Sequence, residues 1–327
     1  YHQARKMKQK SLIFYDQSYS VHIERILSEF GKIGWNAKYQ NYDQGLIEPN
    51  EVLFLGHVDS IPKRFLDTKN PKVGFSWAYD IYKYVNNPTM KAKLQENINK
   101  LDLLIVDCEY VARLAREIGV QSEKLRLLPY GVLLADYKYE KRRKKQSDPF
   151  NVYSNRNWEA GYGHSTLLEA VSRLAENHCN LVLHLSGDGK RRAELLRSYH
   201  DLIKKGVVNY HGRVSANKNK ELLRTADVYV SASEYDGWSV SILESLALGT
   251  PVIAADIEPN IDLLDSGSHG TFFENRSPDS LYKQLEQLIS NPWTTDAIEK
   301  SRRSGRRKVE HLCDFKNNVL EIGRAHV

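Results

Sequence analysis

The sequence predicts an α/β protein of two doubly wound domains in tandem, on three observations. Short β-rich runs alternate with amphipathic helical stretches along the whole chain, the rhythm of parallel sheets covered on both faces. One charged stretch, YEKRRKKQSD (139–148), carries almost no apolar residue, interrupts this rhythm and sets a domain boundary at 142/143. The length, 327 residues, is more than one hydrophobic core ordinarily fills.

Taken in order, SLIFYD (11–16) reads as a buried strand, and a helix follows in SVHIERILSEFGKIG, with Val21, Ile23, Ile26, Leu27 and Phe30 on one face. Strands are expected at 36–43, 51–57, 72–77, 101–108 and 124–131, and a helix over EYVARLAREIG ends at Gly119. Past the boundary, strands at 150–155, 181–187, 207–212, 227–233, 251–256 and 270–274 alternate with helices near 165–177, 190–205, 218–226, 239–249 and 278–290. The remainder reads as helical with basic faces, so the expected segments are 1–142, 143–293 and 294–327. Two such domains leave a cleft between them, and open parallel sheets bind ligands beyond the carboxyl ends of their strands. Chemistry is therefore expected in the loops that follow strands.

With 41% apolar and 27% charged residues, the chain has an ordinary globular balance. Cys108, Cys179 and Cys313 lie far apart and form no metal or disulfide pattern, which fits a reducing cytoplasm. No run is long and apolar enough for a membrane span or a signal peptide, and the opening YHQARKMKQKS is left out of the fold reading. The net charge of +6 comes largely from 139–148 and from KSRRSGRRK (300–308). Such blocks are solvated linkers or helix faces, or they meet a phosphate substrate, an acidic membrane surface or nucleic acid; spacing alone does not choose.

The stretch EYDGWSVSILESLALGTPVIAAD (234–256) carries the sharpest chemical signal. A helix is expected from Trp238 or Ser239 to Gly249, and the first-turn amides of Trp238, Ser239 and Val240 have no intrahelical acceptors. The helix dipole adds positive charge there, and Gly237 lets a phosphate approach the backbone. Val240, Leu243, Leu246 and Ala247 form an apolar stripe, with Glu244 on its border. A carboxylate there needs partners, which the paired hydroxyls of a ribose would supply, while Asp236 would meet hydroxyls on the other side of the phosphate. Sugar, phosphate and ribose together describe a nucleotide sugar. The plainer alternative is a helix cap at Asp236 and a solvated Glu244.

The segment SASEYDGWSVSILESLALGTPVIAADIEPNIDLL resembles the donor-binding signature of family 4 glycosyltransferases, in which an acid, seven residues and a Glu precede A-x-G-x-P-V-I-A. FNVYSNRNWEAGYGHSTLLEAVSRL, LVLHLSGDGKRRAEL, VVNYHGRVSANKNKELLRTADVYVSAS and LDLLIVDCEYVARLAREIGVQSEKLRLLPYGV are similar to further units, so the resemblance spans about 101–290. It implies the Rossmann-like GT-B fold, a retaining front-face transfer in which the departing phosphate takes the acceptor proton, and no metal. It also implies UDP- or GDP-sugar as co-substrate and a hydroxyl acceptor in a glycan, a lipid-linked sugar or a small molecule.

By the same resemblance Arg156 binds the diphosphate, Asp236 the transferred sugar, Glu244 the ribose, and the backbone by Gly237, Trp238, Ser239 and Val240 the distal phosphate. Arg213, after the His-Gly pair, falls by the base, and the terminal helices cross back to the first domain. Three places depart from the family: Tyr162 replaces a lysine, YDQSYSVH replaces a glycine-rich loop, and FSWAYDIYKY replaces a segment with a cleft histidine. In that last segment Trp77, Tyr79 and Asp80 are expected to face the cleft as an acceptor platform with an acid, Asp80 ranking above His22. Two other classes compete with this reading: a non-catalytic glycosyltransferase-like subunit, and a nucleic-acid binder, disfavoured because the basic clusters lack stacking aromatics.

Overall fold

A computed structural model describes residues 10–49, 51–84, 87–139, 148–290 and 295–324. The chain divides into two compact units, Tyr1–Tyr130 with Phe315–Val327, and Gly131–Asp314. The expected 142/143 boundary and the basic run at 140–147 lie outside the described residues.

The first unit runs β1 (Ser11–Asp16), α1 (Val21–Lys32), β2 (Asn36–Asn41), β3 (Val52–Gly56), α2 (Lys63–Leu66), β4 (Lys72–Phe75), α3 (Tyr79–Tyr82), α4 (Pro88–Asn99), β5 (Leu103–Val106), α5 (Glu109–Ile118) and β6 (Leu125–Leu127). Its six strands are all parallel, in the order β2-β1-β3-β4-β5-β6. Apart from its first residue β1 is buried throughout, as a strand covered on both faces must be. Phe14, Phe54 and Phe75 from three adjacent strands meet ring to ring in the core. Ile23, Ile26 and Phe30 close one side of it from α1, which starts where Ser20 accepts the Ile23 amide.

The second unit runs β7 (Phe150–Ser154), α6 (His164–Asn177), β8 (Leu181–Leu185), α7 (Arg192–Ser198), α8 (His200–Lys204), β9 (Val208–Tyr210), α9 (Ala216–Thr225), β10 (Val228–Ser231), α10 (Val240–Leu248), β11 (Val252–Ala255), α11 (Glu258–Leu263), β12 (Thr271–Phe273), α12 (Pro278–Ser290) and α13 (Thr295–Leu312). Its strands are again all parallel, in the order β12-β11-β10-β7-β8-β9. The last helix, α14 (Phe315–Arg324), belongs to the first unit and packs on α1. In each sheet the chain winds outward to one edge and then crosses to the other side. The reversal falls between β1 and β3 in the first unit and between β7 and β10 in the second. Ligands of doubly wound sheets bind at such points.

Every expected strand forms, within a few residues of its expected ends. The single helix expected over 190–205 is instead two, α7 and α8, divided at Tyr199. Helices α2, α3, α4 and α11 were not anticipated: three are very short, and α4 buries only Leu94, Asn97 and Ile98, too few for a clear apolar period.

The largest correction concerns α10. Residues Ile242 to Leu248 are all buried, so Glu244 lies inside the packing and not on the border of a stripe. The reason is that α9 and α13 both pack on this helix in addition to the sheet. The basic run 300–308 accounts for part of that packing. Arg306 donates to the carbonyl of Ala247 at 2.7 Å and Arg302 to that of Gly249, placing two cations at the negative end of α10. Among the described residues no helix is long and apolar enough to cross a membrane.

Candidate functional site

At the reversal point of the second unit, Arg156 follows β7 and the segment 232–239 follows β10. The guanidinium of Arg156 donates to Asp236 Oδ2 at 2.7 Å and to Ser239 Oγ at 3.0 Å. The Tyr162 ring lies 4.7 Å from the guanidinium carbon, a cation–π contact that places an aromatic face where the resemblance has a lysine. The Arg156 Nε–H is buried without a hydrogen-bond partner. Burial works against the charge on Arg156, but Asp236 and the hydroxyls of Tyr162 and Tyr229 outweigh it and raise its pKa. Burial likewise pushes the Asp236 carboxyl up, opposed by Arg156 and by the Gly237 amide.

The sequence around Arg156 explains why it stays in place. Trp158, 1% exposed, ties the loop to the turn after β8: its amide donates to Asp188 O at 3.0 Å and its ring meets His164 and Tyr210. The loop ends at Gly163, whose φ of +66° opens α6, and a Cβ there would stand 1.9 Å from the Ala232 carbonyl oxygen. Only glycine allows the two loops this approach.

Ser239 is the N-cap of α10 but gives the helix no side-chain cap bond, because its hydroxyl accepts from Arg156. The first-turn amides therefore lie beside a guanidinium, and Asp236 Oδ1 accepts the Gly237 amide at 3.1 Å. A guanidinium, a hydroxyl and helix amides on one spot can hold an oxyanion.

Glu244 is 6% exposed, and both its oxygens are engaged: Oε1 accepts from Tyr137 Oη at 2.6 Å and Oε2 from Asn219 Nδ2 at 2.9 Å. Asn219 Oδ1 in turn accepts from Asn155 at 2.8 Å and Tyr153 at 2.7 Å, and Asn155 accepts from Tyr229 at 2.9 Å. Glu244 is thus joined by hydrogen bonds to the residue preceding Arg156. Tyr137, Asn219 and Asn155 escaped the sequence reading, because no spacing signal links residues so far apart in the chain.

The remaining candidates make other contacts. Arg213 is largely exposed and stands 4.0 Å from Asp188. The Trp238 indole turns to Asp262 at 2.9 Å and to Lys308, leaving only its backbone near the helix tip. Val240 begins α10 and packs on the core. Asp80, in the first unit, is 1% exposed and accepts from Ser76 Oγ at 2.7 Å, Trp77 N at 3.0 Å and Val58 N at 3.0 Å, so it clamps two loops. Burial pushes its pKa up to about 6. Tyr79 is 47% exposed, and the His22 ring lies 5.8 Å from that of Trp77. Among the described residues no group of three or more His, Cys, Asp or Glu is arranged to hold a metal ion.

Comparison with known proteins identifies the fold and the family. Two solved structures superpose on nearly the whole chain: sucrose-phosphate synthase from Thermosynechococcus elongatus, with TM-score 0.80 and 13% identity over 97% of this chain and 98% of that one, and Anabaena HepE in complex with UDP, with TM-score 0.74 and 12% identity over 97% and 99%. At such identity they show the fold, which is GT-B. An uncharacterised glycosyltransferase of Methanocaldococcus jannaschii is 26% identical over 63% of this chain and 47% of its own length. The alpha-monoglucosyldiacylglycerol synthase of Streptococcus pneumoniae is 26% identical over 60% and 46%. The chain thus matches about half the length of these relatives. Residues 137–308, more than half of the chain and the whole of the Arg156–Asp236 cluster, match one family throughout: the protein belongs to the glycosyl transferases group 1 family.

Proposed function

We propose that the chain is a retaining, metal-independent glycosyltransferase that moves a hexose from a UDP- or GDP-sugar to a hydroxyl of a glycan, lipid-linked sugar or small molecule, acting in the cytoplasm. The observation that carries this reading is Arg156, a guanidinium fixed at the reversal point between an acid and the N-cap of α10, with its buried Nε–H lacking a hydrogen-bond partner. The donor diphosphate takes that N–H and the first-turn amides of α10. As the bond from the sugar to the phosphate breaks, negative charge grows on the phosphate, and donors already in place stabilise it without reorganising. The departing phosphate oxygen receives the acceptor proton while the acceptor oxygen bonds to the same face of the sugar. Asp236 turns from Arg156 to the sugar hydroxyls, and Glu244, held by Tyr137 and Asn219, accepts from the ribose hydroxyls. The neighbouring HepE structures hold UDP and UDP-glucose, which makes a UDP-sugar the first donor to test.

The test is a thermal-shift panel of UDP-glucose, UDP-N-acetylglucosamine and GDP-mannose, followed by NMR assignment of the product anomer. A bound donor at a hundred times its dissociation constant adds about 2.7 kcal/mol to the folded state. No shift with any of them, or a product of inverted configuration, would overturn the reading.

A further inference from the structure

The first unit has a reversal point of its own, between β1 and β3, and the residues at those strand ends are Asp16 and His57. Asp16 is 1% exposed, and its carboxylate is held from three directions. The Gln17 amide donates to Oδ1 at 2.6 Å, Trp77 Nε1 donates to Oδ2 at 3.1 Å, and His57 Nδ1 lies 2.5 Å from Oδ1. Gly56 leaves the room for this, since a Cβ there would stand 2.1 Å from Asp16 Oδ2.

His57 has φ +48° and Ala78 φ +66°, left-handed conformations that residues with a side chain rarely hold. Strain of this kind persists where surrounding contacts enforce it, and it gathers at functional sites. Here the enforcing contact is Asp80, which accepts the amides of Val58 and Trp77 and so fixes the loops that carry His57 and Ala78. The imidazole is oriented through Nδ1 by a buried carboxylate, and Nε2 has no protein partner among the described residues. The His57 side chain is 38% exposed. Trp77 lies beside it, at 6.3 Å between ring centroids, and packs on Tyr130 at 5.2 Å. A histidine that served only to satisfy a core acid would need neither the open edge nor the strained backbone.

We propose that the Asp16–His57–Trp77 cluster is a carbohydrate-binding site, in which a sugar hydroxyl meets His57 Nε2 and the apolar face of the ring lies on Trp77. Taken with the proposed transfer reaction, on which this clause rests, the bound sugar is the acceptor and Asp16 is a positioning residue for His57. The first experiment needs no donor: the imidazole nitrogens of His57 are followed by NMR in the full chain on addition of methyl glycosides of glucose, galactose, mannose and N-acetylglucosamine. His57→Asn supplies the assignment, because asparagine tolerates the left-handed backbone. The second uses the nucleotide sugar that stabilises the chain most. His57→Asn is expected to raise the KM for the methyl glycoside about tenfold, the loss of one well-oriented hydrogen bond, with the donor KM unchanged. Asp16→Asn gives the same split if it folds, and Trp77→Phe, which loses the N–H and part of the ring face, gives a split in the same direction.

His57 resonances indifferent to all four glycosides would overturn the proposal, as would a donor KM that rises with the glycoside KM. If no nucleotide sugar is used at all, the transfer reading fails, and the NMR titration alone still decides whether this cluster binds sugar.

Discussion

Arg156 and Asp236, 80 positions apart in sequence, meet at 2.7 Å between the loop after β7 and the loop before α10. The carboxylate therefore occupies a donor that the resemblance reserves for phosphate. Acid and phosphate compete for one guanidinium. Asp236→Asn is accordingly expected to bind UDP more tightly, by about three- to tenfold for relief of one partly exposed pair, while the transfer rate falls. Isothermal titration with UDP checks this; equal or weaker binding would show that the pair does not compete with the ligand.

Tyr162 gives Arg156 a ring face where the resemblance has a lysine. Tyr162→Lys exchanges a cation–π contact for a charge, and a unit charge at 4 Å in an effective dielectric of 20 is worth about 4 kcal/mol before desolvation. The variant is expected to be less stable without ligand, because two cations then adjoin, and to bind UDP at least as tightly as the parent. Thermal unfolding with and without UDP reads both effects, and a variant weakened equally in both conditions would argue against a diphosphate at this spot.

The sequence announced both sheets because buried parallel strands are continuous apolar runs, and it located Arg156, Asp236 and the tip of α10 because these lie in a spaced signature. It could not show that Glu244 is enclosed. The stripe on α10 is legible locally, but the burial of its other side comes from α13, whose basic composition suggested solvent or an anionic partner. Arg302 and Arg306 serve carbonyls at the end of α10, a long-range role that charge patterning does not encode. Asp16 and His57 were missed for a similar reason. Asp16 ends β1 and His57 follows β3, both ordinary strands, and their pairing follows from strand order, which no local pattern fixes.

Glu244 accepts from Tyr137 and Asn219 at once, so a side chain with one acceptor must leave a donor unpaired. Glu244→Gln is expected to destabilise the second unit by about 1–3 kcal/mol, the range for an unsatisfied buried group. Tyr137→Phe, which frees Oε1 without turning a donor on it, is expected to cost less. Urea unfolding of the two variants measures the difference, and equal losses would mean that the network does not depend on the carboxylate.

Two buried groups give the two units opposite responses to acid. Burial pushes Asp80 up to about 6, above its ordinary 3.8. The folded state then holds a proton that the unfolded state has released, so the contribution of Asp80 is present in acid and is lost as pH rises from about 4 through 6. His164, at the start of α6 and 2% exposed, is pushed down to about 4, first by burial and then by the charges of Arg156 and Arg191. Its folded state refuses a proton that the unfolded state accepts, so stability is lost as pH falls from about 6.5 towards 4. Each span corresponds to something on the order of 3 kcal/mol. Asp80→Asn should therefore gain on the parent protein as pH rises through this window, and His164→Gln should gain on it as pH falls. Hydrogen exchange, resolved unit by unit between pH 4 and 7, separates the two, and trends in the same direction would contradict at least one of these assignments.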